Sequence, residues 1–348
     1  MNFKSNLFVL GLCGALTLTS CGDDDDIVDD ILDGDDRNEL YVTTNANGNL
    51  SIYDLEDGTV RTLTTSATGT EGIFYDEDAD ELVVNSKDGM TGRVDVYSNI
   101  EAAMTGQAIA STASGTDVNL TTPRDLAVSP NGNIYVVADN GDVDGDDTTN
   151  DGRLFIFERG NNTVTLRNTI TTDIAVWGIE FVGNDLFAVV DKTSDLAIYN
   201  NFAIANTTDA LVTPSKRITI EGINRTHGIA VDGNTLIMTD IGSAMDDADG
   251  GFHIISDFQS KIGAVNNGGT LTVAGNQVRI AGAASLLGNP VAAEYDSVED
   301  VVYIADAASG GGRVLAFDNA STTAGGDVAP VINNLLPGAS SLFLYTDD

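Results

Sequence analysis

A short apolar segment recurs along the chain at intervals of about 50 residues, and this repeat restricts the possible folds more than any other feature. The segment contains Glu71-Gly72-Ile73-Phe74-Tyr75-Asp76, and its later copies are centred on Asp125, Gly178, Gly228 and Ala292. Units of this length leave an apolar face uncovered until they pack against a neighbour. The repeat therefore predicts several equivalent units arranged in series.

Each copy is followed by segments with the composition of β-strands. A second apolar segment comes after turns such as Asn131-Gly132, Gly183-Asn184 and Gly233-Asn234, which favour hairpins. A third segment alternates apolar and polar residues in part, as strands nearer to solvent do, and a fourth is less regular. Four antiparallel strands repeated at this interval predict the blades of a β-propeller.

The two ends of the chain supply the last blade. Five units are complete, whereas residues 39–63 hold three strands without an opening segment, and Ser341–Tyr345 is a spare opening segment. Pairing the two closes a ring and leaves no long sheet edge exposed. The sequence thus predicts an all-β, six-bladed propeller over residues 38–348. A seventh blade would require a further unit between Ser256 and Ala284.

The N-terminal residues predict export and membrane anchoring. Lys4 precedes an apolar stretch that ends in Leu18-Thr19-Ser20-Cys21, which is typical of a signal peptide over residues 1–20. The stretch is shorter than the about 20 residues that a spanning helix needs. The segment resembles a bacterial lipoprotein signal, which implies acylation of Cys21. The alternative is an ordinary secretory signal with a chance cysteine.

The residues that follow Cys21 are acidic. Cys21-Gly22-Asp23-Asp24-Asp25-Asp26 resembles the export tag of surface lipoproteins in Bacteroidota. The resemblance implies a place on the outer face of the outer membrane, with membrane contact through the lipid alone. The alternative is a solvated spacer, and in either case repulsion between like charges keeps residues 21–37 extended as a tether.

Charge excludes one class of partner. The chain carries 53 acidic and 16 Lys or Arg side chains, for a formal net charge of −37. Such a protein repels the phosphates of nucleic acids, so we expect no nucleic acid partner. Cys13 and Cys21 are the two cysteines, and both precede the predicted propeller, so no disulfide is expected within it.

The residues at the start of the opening segments are candidates for a ligand site. In a propeller these positions meet at the mouth of the central channel, where ligands commonly bind. Here they include Glu71, Arg124, Trp177 and His227, with one tryptophan and one of two histidines of the chain among them. Together they suit a polar ligand or proton transfer. The alternative is that each side chain has only a local packing role.

The segment 140–151 matches the spacing of a calcium loop. Oxygen-bearing side chains occupy the first, third and fifth positions, a glycine the sixth and an acid the twelfth. A hard cation takes six or more oxygen ligands, and this segment supplies most of them. The predicted ligands are Asn140, Asp142, Asp144, Asp146 and Asp151. The alternative is a flexible acidic loop.

Acidic residues also end most of the second strands. Asp139, Asp191, Asp240 and Asp306 hold this position in four units. Short carboxylates placed there accept hydrogen bonds from the backbone N–H groups of adjacent turns. We therefore expect a structural role for all four.

His227-Gly228-Ile229-Ala230-Val231-Asp232 and Val302-Tyr303-Ile304-Ala305-Asp306 resemble the repeats of NHL-type and gluconolactonase-like six-bladed propellers. That fold carries lactonases, lyases and binding proteins alike. The gluconolactonase-like families hold a catalytic divalent ion at the mouth with Glu, Asn and Asp ligands, and some add a histidine base. The resemblance implies that Glu71 and His227 would take such roles in an enzyme.

We expect from these features a surface-anchored lipoprotein whose propeller binds a small ligand or a surface protein. Motifs of the Gly-x-Ser-x-Gly and His-Glu-x-x-His kinds do not occur in the sequence, which favours binding without catalysis, stabilised by calcium. The alternative function is a metal-dependent lactonase or another hydrolase of the gluconolactonase-like kind.

Overall fold

Six antiparallel sheets of four or five strands follow one another around a central channel, which confirms the six-bladed propeller. The computed structural model describes residues 37–146, 148–243, 245–308 and 311–347. The predicted signal peptide, Cys21 and the tether up to residue 36 lie outside the described residues. Among the described residues, no helix has the length and apolar character needed to cross a membrane.

The blades are numbered from the one that contains both chain ends. Blade one consists of β26 (Ala339–Thr346), β1 (Asn38–Thr44), β2 (Leu50–Asp54) and β3 (Val60–Leu63). Blade two consists of β4 (Gly72–Asp76), β5 (Glu81–Asp88), β6 (Thr91–Ser98) and β7 (Ala113–Thr116). Blade three consists of β8 (Pro123–Val128), β9 (Ile134–Asp139), β10 (Gly152–Gly160), β11 (Thr163–Thr172) and the short β15 (Ala210–Leu211).

The other blades follow the same plan. Blade four consists of β12 (Val176–Val182), β13 (Asp185–Val190), β14 (Asp195–Tyr199), β16 (Lys216–Ile220) and the short β20 (Thr270–Leu271). Blade five consists of β17 (Ile229–Asp232), β18 (Thr235–Asp240), β19 (Gly251–Ser256) and β21 (Val278–Ala281). Blade six consists of β22 (Pro290–Asp296), β23 (Val301–Asp306), β24 (Arg313–Phe317) and β25 (Ile332–Leu335). Two short helices, α1 (Phe202–Ala205) and α2 (Phe258–Ala264), lie in connections.

The ring closes as the sequence predicts. β26 pairs with β1 in an antiparallel register that sets Leu40 opposite Leu344 and Val42 opposite Leu342. Blade one then packs against blade two through Tyr41, whose ring stacks on Tyr75 with a centroid separation of 4.6 Å. The closing strand is therefore held by backbone hydrogen bonds and by buried aromatic packing.

The core is divided among the spaces between neighbouring blades. Along β9, Val136 and Ala138 pack towards blade four, whereas Tyr135 and Val137 pack towards blade two. This follows from the two-residue period of a strand, which sends successive side chains to opposite faces of its sheet. Each blade is thus apolar on both faces, and stacking around the ring buries both.

Glycine in the opening segments has a packing reason. A Cβ atom added at Gly178 would lie 2.3 Å from the carbonyl oxygen of His227 in blade five, and one at Gly228 would lie 2.8 Å from the Cα of Ala292 in blade six. The inner strands converge near the axis, so their backbones approach too closely for a side chain. The repeated glycine reflects this crowding.

The outer edges of four blades are covered by the next blade. The edge strand β11 pairs in parallel with β15, and β16 pairs in parallel with β20. Isolated parallel bridges join Thr64 to Ala108 and Ile280 to Gly326 in the same manner. We call these four contacts the latches. They connect blade one to two, three to four, four to five and five to six, and they shield part of each edge.

The backbone hydrogen bonds predicted for the acids that end the second strands are confirmed for all four. Asp139 accepts hydrogen bonds from the backbone N–H groups of Thr121 and Thr122. Asp240 and Asp306 accept equivalent bonds from the turn before the inner strand of their own blades. Asp191 accepts the backbone N–H of Lys192 at 2.7 Å, and in addition it contacts Arg225 at the channel mouth.

Candidate ligand-binding mouth

The first residues of the inner strands meet at one rim of the channel. Glu71, Arg124, Trp177 and His227 come from blades two to five and line the same cavity, which has a volume of about 360 Å³. The prediction that these four side chains share a mouth rested only on their equivalent positions in the repeat. The structure places them in direct contact with one another.

Trp177 is the centre of a stack of three side chains. Its ring lies parallel to that of His227, with a centroid separation of 3.6 Å and an interplanar angle of 5°. The guanidinium carbon of Arg124 lies 4.1 Å from the centroid of Trp177. Two groups this close to the centre of the indole ring cannot lie on the same face of it. Arg124 therefore covers one face and His227 the other. The cation–π contact adds attraction of about 1–2 kcal/mol where water is excluded.

Asp191 anchors the far side of this stack. Its carboxylate accepts hydrogen bonds from Nε and Nη2 of Arg225, at 2.9 and 2.7 Å, and lies 3.5 Å from Nε2 of His227. Burial acts to raise the pKa of Asp191, but the contacts with His227 and Arg225 outweigh it and hold the pKa at about 2. Asp191 is therefore charged at neutral pH, and Arg225 is its main counter-ion.

His227 is enclosed. Its side chain is 5% exposed, and neither ring nitrogen has a hydrogen-bond partner among the described residues. Burial lowers the pKa of His227, against the opposing effect of Asp191. The imidazole is thus neutral at neutral pH, and its nitrogens are shielded from solvent.

Arg124 presents unused donors. Its Nε donates to Oδ1 of Asn140 at 2.9 Å, and its Nη1 lies 4.0 Å from Glu71. Within the described part of the chain, neither of its terminal nitrogens has a hydrogen-bond acceptor. Burial raises the pKa of the Glu71 carboxyl to about 7, against the opposing effects of Arg124 and Asn45. The Glu71–Arg124 contact is consequently only partly ionic near neutral pH.

A second depression lies outside the rim. It has a volume of about 520 Å³ and shares Arg124 and Trp177 with the channel. Its other charged residues are Asp142, Asp151, Asp191, Lys192 and Arg225. Arg124 and Trp177 therefore stand where the depression meets the channel.

The channel wall carries acidic residues that the sequence analysis did not identify as a group. Burial, with the nearby Asp125 charge, raises the pKa of Glu180 to about 8, and burial raises that of Glu294 well above its usual range. Burial also raises the pKa of Asp125 to about 7, although it accepts backbone hydrogen bonds from Leu126 and Ile179. The sequence could have predicted this group, because Glu180 and Glu294 each lie two residues after the centre of an opening segment, at Gly178 and Ala292.

The structure brings together three of the five predicted calcium ligands. Carboxylate oxygens of Asp142, Asp144 and Asp151 lie within 4.8 Å of one another, a separation that a calcium ion with ligands at about 2.4 Å can bridge. Asn140 instead binds Arg124 and lies 3.4 Å from Asp191. Asp146 accepts hydrogen bonds from the backbone and hydroxyl groups of Thr148 and is not in the group.

No protein-family model matches the chain, and no curated protein sequence matches it. A chain of the nidogen–laminin complex matches with a TM-score of 0.59 and 12% identity, over 89% of this chain and 99% of that one. A protein from Lactobacillus plantarum matches with a TM-score of 0.51 and 12% identity, over the same two shares. A provisionally named 6-phosphogluconolactonase from Bacteroides uniformis matches at 0.48 and 13%, over 88% and 84%. These likenesses concern the fold.

Proposed function

We propose that this protein is a ligand-binding propeller, anchored to the bacterial outer membrane by a lipid on Cys21 and facing the cell exterior. The observation that carries the binding role is the position of Arg124. Among the described residues its terminal nitrogens have no acceptor, and they lie where the channel meets the outer depression. A charged donor group held in such a place is suited to a small ligand or to a segment of a partner protein.

The state of His227 favours binding without catalysis. A general base must reach the proton that it removes, whereas both nitrogens of His227 are shielded and its ring is fixed against Trp177. Asp191 is already neutralised by Arg225. In the described residues, the one group of three potential metal ligands belongs to the loop of Asp142, Asp144 and Asp151 rather than to the rim ring.

A metal-dependent lactonase is the second candidate. The observation in its favour is the 3.5 Å approach of Asp191 to Nε2 of His227, a relation that orients histidine bases in other enzymes. Glu71 and His227 would supply the acid and base groups. This function requires His227 to become accessible when a substrate enters.

One experiment separates the two functions. The purified propeller is titrated with small polar metabolites and lactones while the emission of Trp177, the single tryptophan, is recorded, and product formation is measured with calcium or with a chelator. If the protein only binds its ligand, the ligand changes the Trp177 emission and no product forms. Turnover that the chelator abolishes, and that Glu71→Gln or His227→Ala removes, would establish the lactonase instead. Emission unchanged by every compound would contradict a small-ligand site.

Removing the predicted lipid site is expected to release the protein from membranes. In a bacterium that exports lipoproteins, the wild-type chain incorporates a labelled fatty acid and sediments with membranes, because an acyl chain supplies apolar contact with the bilayer. The Cys21→Ser variant loses both properties, while Cys13→Ser keeps them as the control. Equal labelling of the wild type and Cys21→Ser would contradict anchoring at this residue.

Calcium is expected to stabilise the propeller through the loop that follows β9. We predict that millimolar calcium raises the melting temperature by about 3 °C or more, because a ligand that binds only the folded state stabilises it. The Asp144→Asn variant should lose this shift. Asp246→Asn is the matched control, since both aspartates are exposed and accept a hydrogen bond from the backbone N–H two residues later. An unchanged melting temperature in calcium would contradict the site.

A further inference from the structure

We infer that the ligand of the mouth is a small organic carboxylate, held by the terminal nitrogens of Arg124 with Lys192 beside it. The inference rests on the proposed binding function and specifies the chemistry of that same site. It begins from the distribution of charge. Acidic side chains outnumber Lys and Arg by 53 to 16 in this chain, yet Arg124, Lys192 and Arg225 line one depression.

Arg124 differs from other arginines of the ring in what surrounds it. Arg93, Arg159 and Arg217 each contact a carboxylate at 2.6–2.8 Å. The nearest carboxylate to Arg124 is that of Glu71 at 4.0 Å, although the Arg124 side chain is only 25% exposed. Its terminal nitrogens reach the solvent of the depression, so an incoming anion can accept their hydrogen bonds without displacing a protein carboxylate.

The guanidinium group of Arg124 is also fixed in orientation. Its guanidinium carbon lies over the Trp177 ring and its Nε donates to Asn140, so the remaining freedom of the group is small. A planar fork fixed in this way matches the two oxygens of a carboxylate and loses little entropy on binding. Trp177 has both faces covered, so it does not act as a stacking surface for a flat ligand.

The charges around Arg124 favour an anion with a single charge. Asp142, Asp151 and Asp191 face the same depression and would repel a dianion such as phosphate more strongly. Asp191 is matched by Arg225, whereas the ammonium group of Lys192 has no ion-pair partner among the described residues. A carboxylate therefore meets Arg124 and Lys192 as the two available cations.

Glu71 makes the inference testable through a gain of binding. Its carboxylate faces Arg124 across 4.0 Å and competes with an incoming carboxylate for the same cation. Replacing Glu71 with glutamine removes the competing charge and keeps the shape of the side chain. At pH 8, above the Glu71 pKa of about 7, binding of carboxylates should become about five times tighter, since one like charge nearby is removed. Binding of neutral compounds should not change.

The experiment compares carboxylates with uncharged counterparts. The probes are galacturonate against galactose, benzoate against benzamide, and lactate against lactamide, each followed through Trp177 emission and calorimetry. We expect at least one carboxylate to bind and its neutral counterpart to bind at least ten times more weakly. Arg124→Met should abolish this preference, and Arg124→Lys should keep only part of it, because an ammonium group lacks the fork. The Arg153→Met variant, in the same blade but away from the mouth, is the control.

The outcomes distinguish the inference from the proposed function. Carboxylates that bind no better than their counterparts, or that bind Arg124→Met as well as the wild type, overturn the inference. If neutral metabolites still change Trp177 emission, the binding function stands without it. If none of the carboxylates binds the wild type or Glu71→Gln, the inference is wrong. The tighter binding expected of Glu71→Gln cannot result from misfolding.

Discussion

Replacing Glu180 and Glu294 together with glutamine is expected to raise the free energy of unfolding at pH 8, by about 2 kcal/mol through Glu180 and further through Glu294. Both carboxyls line the channel wall, and burial raises the pKa of Glu180 to about 8 and that of Glu294 well above its usual range. Their ionisation is therefore unfavourable in the folded protein. Glutamine occupies nearly the same volume and carries no charge, so it removes this cost.

The sign of the pH dependence follows from the same shifts. In the unfolded chain both glutamates ionise near pH 4.5, whereas in the folded chain the pKa of Glu180 is about 8 and that of Glu294 is well above its usual range. The folded state then binds more protons between these limits, so stability falls as pH rises through this window. Each pH unit corresponds to ~1.4 kcal/mol per group, and channel water reduces the contribution of Glu180 to about 2 kcal/mol.

Urea unfolding at pH 5 and pH 8 measures the effect. The wild type should lose stability between the two values, and the double variant should lose less. Glu299→Gln is the control, because Glu299 is exposed in the turn between β22 and β23 of the same blade. Equal pH dependence in the wild type and the double variant would show that these two carboxyls ionise freely in the channel.

Replacing Arg225 with methionine is expected to destabilise the protein by about 3 kcal/mol at pH 7. Asp191 is 2% exposed, and Arg225 is its main counter-ion at 2.7 Å. Without Arg225 the buried carboxylate keeps a backbone hydrogen bond from Lys192 but loses its charged partner, which costs more than the loss of an exposed pair. The matched control is Arg217→Met, because Asp195 is 18% exposed and its contact with Arg217 lies nearer to solvent. We expect a loss below about 1 kcal/mol there.

The loss of stability in the Arg225→Met variant should become smaller as the pH falls. The depressed pKa of Asp191, about 2 in the folded state, provides stability above the usual aspartate value of 3.8. That stability disappears as pH falls towards 2. The wild type and the variant should therefore differ most near pH 7 and converge between pH 4 and pH 2, as followed by urea unfolding. A deficit that stays constant down to pH 2 would mean that lost packing, and not lost charge, explains it.

The fold could be predicted because its information is local and repeated. Each opening segment has its own alternation and turn, and the unpaired strands at the two ends specified the closure through β1 and β26. No sequence pattern of this kind predicts the latches. β15 (Ala210–Leu211) and β20 (Thr270–Leu271) are two residues long, and their partners lie in another blade. The helices α1 and α2 were missed for a related reason, since segments of four and seven residues carry little periodicity.

The site was predictable in part for the same reason. Glu71, Arg124, Trp177 and His227 occupy equivalent repeat positions, so their meeting at the rim followed from the ring. Asp191 shares its repeat position with three structural acids, and only the packing of Arg225 reveals its different role. Asn140 fits a calcium loop by spacing, yet in the fold its amide oxygen accepts the Nε–H of Arg124. Spacing describes neighbours along the chain, whereas Asn140 meets Arg124 from the far end of an adjacent strand and Asp191 meets Arg225 from another blade.

The distribution of the latches divides the ring unevenly. Blades one and two form a short arc, and blades three to six form a longer one, while in the described structure the contacts between blades two and three and between blades six and one have no latch. Glu71 and Arg124 face each other across the first of these junctions. At the opposite end of the channel the same junction is clamped by Arg159 and Glu81 at 2.6 Å. The mouth end of this junction is therefore joined by uncharged contacts, such as the hydrogen bond from the Asn85 amide to the Asp125 carbonyl, and by the longer Glu71–Arg124 contact, whereas the opposite end is joined by a short ion pair.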